Sequence, residues 1–182
     1  MNIRDHFFIK AVTRVSEVFA FFAAFIILAM SVWITYDVLA CYFFSGSAPW
    51  AFDMSEYALV WITFLAAPWL LLRDGHVRVE IIIDALSPKA QRRIGIVVSI
   101  IGLLASAILT WRCGIAAVEY YQGDIMMPRI WRIPKLWPYI AIPIGGVLLV
   151  LAFIARLMIY LKSSDPEYVL HGPPEDRVIA AE

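Results

Sequence analysis

Four apolar runs free of Asp, Glu, Lys, Arg and His dominate the chain: Val18–Tyr36, Tyr57–Leu72, Ile94–Trp111 and Leu136–Ala155, of 19, 16, 18 and 20 residues. A helix rises about 1.5 Å per residue and a bilayer's hydrocarbon core is about 30 Å thick, so about 20 apolar residues cross it. The second run reaches that length once Met54, Ser55 and Glu56 form its interfacial end. No stretch shows the period-2 alternation over about ten residues that a membrane barrel strand carries. The sequence therefore predicts an all-α integral membrane protein with four transmembrane helices over residues 18–44, 54–72, 92–118 and 136–161. Its 62% hydrophobic and 16% charged residues depart from the soluble norm of about 45–50% and about 25%. A formal net charge of zero leaves no basic face for nucleic acid. No internal repeat is visible, which counts against an inverted-repeat secondary transporter.

The distribution of Lys and Arg sets the expected topology. Eleven fall on one side: Arg4, Lys10, Arg14, Arg73, Arg78, Lys89, Arg92, Arg93, Arg156, Lys162 and Arg177. Only Arg129, Arg132 and Lys135 fall on the other. The positive-inside rule then places both termini in the cytoplasm of a multi-pass inner-membrane protein. The apolar stretch after Arg14 runs to Phe44 with only Asp37 interrupting, longer than the roughly 7–15 apolar residues of a cleaved signal, so it reads as an uncleaved first span. Before it, Phe7, Phe8, Ala11, Val15 and Val18 fall at helical spacing. Residues 1–17 thus read as an amphipathic helix in the cytoplasmic headgroup region, or as an extension of the first span. Residues 162–182 are polar and Pro-containing and are expected to form a flexible cytoplasmic tail.

Two charges interrupt the apolar helices, Asp37 in the first span and Arg112 in the third. Intramembrane charges are costly and face protein or water rather than lipid. Both are expected in the outer leaflet at similar height, as a structural ion pair, an anchor to a partner subunit or part of an ion relay. His6, His76 and His171 all lie outside the spans, which excludes the axial-ligand pattern of a haem-carrying membrane anchor. No H-E-x-x-H, G-x-S-x-G, P-loop or paired-Cys metal pattern occurs, so neither enzyme activity nor a cofactor is expected. Cys41 and Cys113 both fall towards the outer ends of spans and read as packed thiols.

The loops are patterned too. After Arg73, Gly75 permits a sharp turn, and Val79, Ile82, Ile83 and Leu86 form an i, i+3, i+4, i+7 stripe for a short helix along the inner interface. Ser87-Pro88 then opens the third helix as N-cap and first-turn proline. In the outer loop, Arg129, Trp131, Arg132 and Lys135 combine charge with an aromatic, a mixture typical of protein-binding surfaces.

In order along the chain stand Tyr42-Phe43-Phe44, Pro49-Trp50 with Asp53 three residues on and Glu56 one turn later, and Trp61-Ile62-Thr63-Phe64-Leu65. Arg73-x-Gly75-His76-Val77-x-Val79-Glu80 follows, then Pro88, then Pro143-Ile144-Gly145-Gly146. This series resembles the small membrane subunit of a tripartite ATP-independent periplasmic (TRAP) transporter, over roughly residues 18–160. Two positions depart from the family pattern. Cys41 stands where a basic residue commonly precedes the aromatic pair, and Phe52-Asp53 where two acidic residues are common. The resemblance implies a subunit that braces a large sodium-coupled permease subunit. It also implies an outer surface that helps dock a periplasmic substrate-binding protein carrying a carboxylate-bearing solute. Residues alone leave two alternatives: a four-span anchor or accessory subunit of another complex, and an autonomous small transporter working through Asp37 and Arg112. The charge asymmetry makes a direct prediction. Reporter fusions after Leu161 should behave as cytoplasmic and fusions near Gly123 as periplasmic; the reverse pattern would invert the topology.

Overall fold

The computed structural model describes residues 7–44, 46, 49–73, 88–127 and 133–162. They form helices α1 (Phe7–Phe44), α2 (Pro49–Leu72), α3 (Pro88–Gln122), α4 (Leu136–Tyr139) and α5 (Ala141–Lys162). Four stretches are long and apolar enough to cross a membrane: Phe7–Phe43, Trp50–Leu72, Arg92–Gln122 and Leu136–Leu161. The all-α, four-span architecture read from the sequence is thus present. Among the described residues the only β-pairing is an isolated bridge between Met126 and Pro134. The inner-loop helix expected over residues 79–86 and the expected tail lie outside the described residues.

Prolines mark the helix boundaries. Pro49 and Pro88 occupy the first positions of α2 and α3, where a missing N–H costs nothing and the fixed φ suits the helix. Pro143 has no N–H to offer the Tyr139 carbonyl, and the helix is interrupted at Ile140, between α4 and α5. The interruption is slight: Ile140 N–H donates to the Leu136 carbonyl at 2.9 Å and Ile144 N–H to the Ile140 carbonyl at 3.3 Å. Residues 7–17 run into the first span without a break, so α1 has 38 residues, about 57 Å at 1.5 Å per residue.

The helices form an open layer rather than a closed bundle. The extensive contacts join α1 to α2, α2 to α5 and α5 to α3, with a smaller contact between α1 and α5. α1 and α3 are the two edges. α5 is the most enclosed helix, with 39% of its most apolar stretch buried against 6% for α1.

Small residues set the helix spacing. A Cβ on Gly145 would collide with the backbone of Phe64 in α2, and one on Gly146 with the hydroxyl of Thr110 in α3. Adjacent residues are about 100° apart around a helix, so this pair admits a neighbour on each side of α5. Farther along, α5 returns the favour: the ring of Phe153 fills the space over Gly102 and the ring of Tyr160 the space over Gly95. Around the first turns of α1, Ile9, Ala155, Ile159 and Tyr160 form one buried cluster, and Val12, Leu71, Leu148 and Ala152 another. The first turns of α1 therefore present Ile9, Val12 and Ser16 to the protein, while Phe7, Phe8, Val15 and Val18 are exposed.

Buried hydroxyls are satisfied within their own helices. Ser16 Oγ donates to the Val12 carbonyl at 2.8 Å, Ser99 Oγ to Gly95 at 2.6 Å and Thr110 Oγ1 to Ser106 at 2.7 Å. Each side chain is thereby small and polar-neutral towards its neighbour, as close packing in lipid demands. Gly145→Leu should therefore break the α2–α5 contact. The obstacle is backbone and cannot swing away, so the destabilisation should reach or exceed about 1–3 kcal/mol, read as a lowered unfolding midpoint in detergent.

Candidate partner-facing surfaces

Where α1 ends and α2 begins, the pair is tied by polar and aromatic groups. Trp33 Nε1 donates to Ser55 Oγ at 2.9 Å, and Ser55 in turn donates to the Ala51 carbonyl at 2.7 Å. Tyr36 and Trp50 stack with centroids 6.2 Å apart. Asp53 is buried, 4% exposed, and Glu56 is half-buried one turn on. Asp37, Trp50, Asp53, Glu56 and Tyr57 are each engaged in polar, electrostatic or ring contacts. These groups lie where α1 ends and α2 begins, so they fix the hairpin's geometry. Trp61, lower on α2, is half-buried, whereas Tyr42 projects from α1, 82% exposed.

At the opposite end, Arg73 Nη2 lies 3.8 Å from Glu17 Oε1, and its guanidinium sits 4.9 Å from the Trp69 ring centroid. Both groups are substantially exposed, so the pair contributes little to stability. Arg92 does more. Its Nε and Nη2 donate to the carbonyls of Tyr160 and Leu161, both at 2.8 Å, capping the C-terminal turn of α5 where orphan carbonyls and the helix dipole favour a cation. Arg156 is buried near by, its guanidinium 5.7 Å from the Tyr160 ring centroid. Gly75 and His76 lie outside the described residues.

The flanks of the outer loop are bonded to each other. Met127 N–H donates to the Ile133 carbonyl at 3.0 Å and Lys135 N–H to the Ile125 carbonyl at 2.9 Å. Asp124, with φ 44°, supplies the left-handed turn after α3. Of the four residues expected to dock a partner, Arg129, Trp131 and Arg132 lie between these flanks in sequence and outside the described residues. Lys135 is half-buried, its Nζ 4.3 Å from the Tyr120 ring centroid and 5.6 Å from that of Tyr139. The two rings meet edge-on at 4.8 Å. Lys135 thus braces the loop base through cation–π contacts.

Asp37 and Arg112 sit on α1 and α3, the two edges of the layer, which are not among the extensively packed helix pairs. Asp37 is half-buried and Arg112 exposed. Cys41 and Cys113 occupy the same two helices as free thiols. The C-terminal half of α3 and the N-terminal half of α5 border an apolar groove of about 650 Å³ lined by Thr110, Trp111, Gly114, Val118, Pro143 and Val147, among others, with Glu119 also on it. Sequence reasoning missed this groove and the Arg92 cap. The groove had a signal: Ala107, Thr110, Gly114 and Val118 recur at helical spacing within the third predicted span, residues 92–118. Among the described residues no group of His, Cys, Asp and Glu could hold a metal.

These features define a multi-pass helical membrane protein, pinned at its ends by polar contacts and left open along two helix edges. Residues 30–161 match the family of tripartite ATP-independent periplasmic transporters, DctQ component, and the chain belongs to that family, the small TRAP permease subunits. It is 26% identical over 156 residues to the C4-dicarboxylate TRAP transporter small permease protein DctQ of Vibrio cholerae serotype O1, covering 74% of this chain and 67% of that one. It is also 24% identical over 127 residues to the isethionate TRAP transporter permease protein DctMQ of Oleidesulfovibrio alaskensis. That match covers 67% of this chain but 19% of the much longer relative. The resemblance read from the motif series is borne out.

The Arg92 cap yields a graded prediction. Arg92→Ala should lower stability by about 1–2 kcal/mol, the range for partly exposed charge-assisted bonds, and Arg92→Lys, with charge but no fork, should fall between it and the wild type. Unfolding midpoints in detergent would measure the order.

Proposed function

We propose that this chain braces the large sodium-coupled permease subunit of a TRAP transporter and helps seat a periplasmic binding protein that delivers a carboxylate-bearing solute. In this reading it sits in the bacterial inner membrane with both termini cytoplasmic. The observation that carries it is the open layer. Four spanning helices are held together by tight glycine contacts, yet α1 and α3 leave long apolar edges uncovered. A self-sufficient transporter encloses its substrate site between helices near the midplane, whereas an open layer is suited to lie against another membrane body. The relatives support this direction. One is named a C4-dicarboxylate small permease, and in the other a segment like this chain occupies 19% of a single permease protein.

Within this role, Arg129, Trp131, Arg132 and Lys135 form the docking surface. Asp37 and Arg112 act as charge anchors of the assembly, the partner-subunit alternative already open for them in the sequence. The test is uptake in proteoliposomes containing the large subunit, with binding protein and a sodium gradient supplied. Omitting this chain should abolish uptake, and the chain alone should give none. Reversing Arg129 and Arg132 to Glu should lower binding-protein-dependent uptake several-fold, more at low salt than at high, with the membrane subunits still assembled. Undiminished uptake without the chain would remove the bracing role, and flux from the chain alone would restore the autonomous-transporter alternative.

A further inference from the structure

We propose that the groove between the C-terminal half of α3 and the N-terminal half of α5 is the seat of one membrane-spanning helix of the large subunit, and that this helix carries an acidic residue opposite Arg112. The inference rests on the bracing role proposed above and specifies where the partner binds.

Gly114 points to an occupant. Glycine inside a helix is unfavourable relative to alanine, so its presence calls for a reason. At Gly102, Gly145 and Gly146 the reason lies within the chain, because a Cβ would collide with Phe153, Phe64 or Thr110. At Gly114 a Cβ would meet nothing within 4 Å. The space above it is the groove, about 650 Å³ and bounded by Trp111, Val118 and Val147. Among the described residues nothing packs into that space, so the small floor is open to something outside them.

Length and charge select the occupant. From Ala107 to Glu119 the α3 wall spans 13 residues, about 18 Å or three helical turns. A small-residue floor lets a second helix backbone approach closely, the usual basis of helix association in lipid. Arg112 and Glu119, seven residues apart, fall on one stripe of α3, and both are exposed. Exposed charges along a membrane helix are costly against acyl chains. A partner helix with a carboxylate facing Arg112 and a basic or hydrogen-bonding group facing Glu119, two turns apart, would remove that cost. An acyl chain would fill the groove but leave both charges uncompensated.

The test is co-purification of the co-expressed large subunit on a tag carried by this chain. Gly114→Phe fills the groove from its floor, and Val147→Trp fills it from the α5 wall, where Val147 is exposed. Leu59→Phe, an exposed position of α2 outside the groove, is the control. Each groove variant should lower recovery of the large subunit at least ten-fold, with the control unchanged. The unfolding midpoint of each variant chain in detergent should match the wild type, because the added side chains enter open space. Arg112→Glu should also lower recovery. Wild-type recovery with no loss in either groove variant would overturn the groove assignment while leaving the bracing role intact. Undiminished recovery accompanied by loss of co-purified phospholipid, read by mass spectrometry, would overturn it in favour of a lipid site. Failure of the wild-type chain to recover the large subunit would overturn the bracing role itself and the groove assignment with it.

Discussion

The contact of Gly145 and Gly146 with their neighbours is the constraint on which the rest of the layer depends. In lipid, helices gain nothing from leaving the solvent for one another, since acyl chains are as apolar as leucine, so association relies on close packing. Close packing needs small residues where backbones meet. Gly145 brings α5 onto the backbone of Phe64, and Gly146 brings it onto Thr110. One helix thereby holds both α2 and α3, and α1 joins through α2 and through Ile9 and Val12 in its first turns. Removing this contact would leave two hairpins joined mainly at their ends.

The polar groups fix the ends rather than the middle. Trp33 with Ser55 and Tyr36 with Trp50 close the turn of the first hairpin, Arg92 caps the C-terminal turn of α5, and Lys135 braces the base of the loop after α3 against two tyrosines. At the ends water competes for hydrogen bonds, so each contact adds modest stability but sets orientation. Between the ends, registration is left to rings resting over Gly95 and Gly102. Such a layer is stiff along its helices and specified in register while keeping its two faces available.

Much of this was legible in the sequence, and the part that was not has a physical cause. The four charge-free runs gave the spans, because bilayer thickness imposes a length that composition alone satisfies. The motif series from Tyr42 to Gly145 identified the family. Which residues face protein could not be read, because hydrophobicity does not separate lipid from protein. Phe21 and Phe25 are exposed while Ser16 and Ser99 are completely buried, the inverse of what a soluble helix would show. The similar depth assigned to Asp37 and Arg112 carried no information about lateral position, and the helix order α1–α2–α5–α3 sets their helices at opposite edges. That order was not encoded in any periodicity, only in which small residues meet which large ones.

An open layer has a consequence for how such a subunit could act. A closed bundle spends its apolar surface on itself and presents partners only with its rim. Here only 6% of the most apolar stretch of α1 and 17% of that of α3 is fully buried, and exposed apolar side chains occur along the length of both helices. A body lying along that length resists tilt and vertical sliding of whatever it holds, which short loops at a rim cannot do. The charges follow the same logic. Glu119 lines the groove between α3 and α5 and Arg112 lies on the same stripe of α3, so an occupant that satisfies them would be fixed in rotation and height as well as in contact. For a subunit proposed to brace its partner, fixing those two coordinates is the mechanical requirement, and the edge of α3 is where this chain has the residues to meet it.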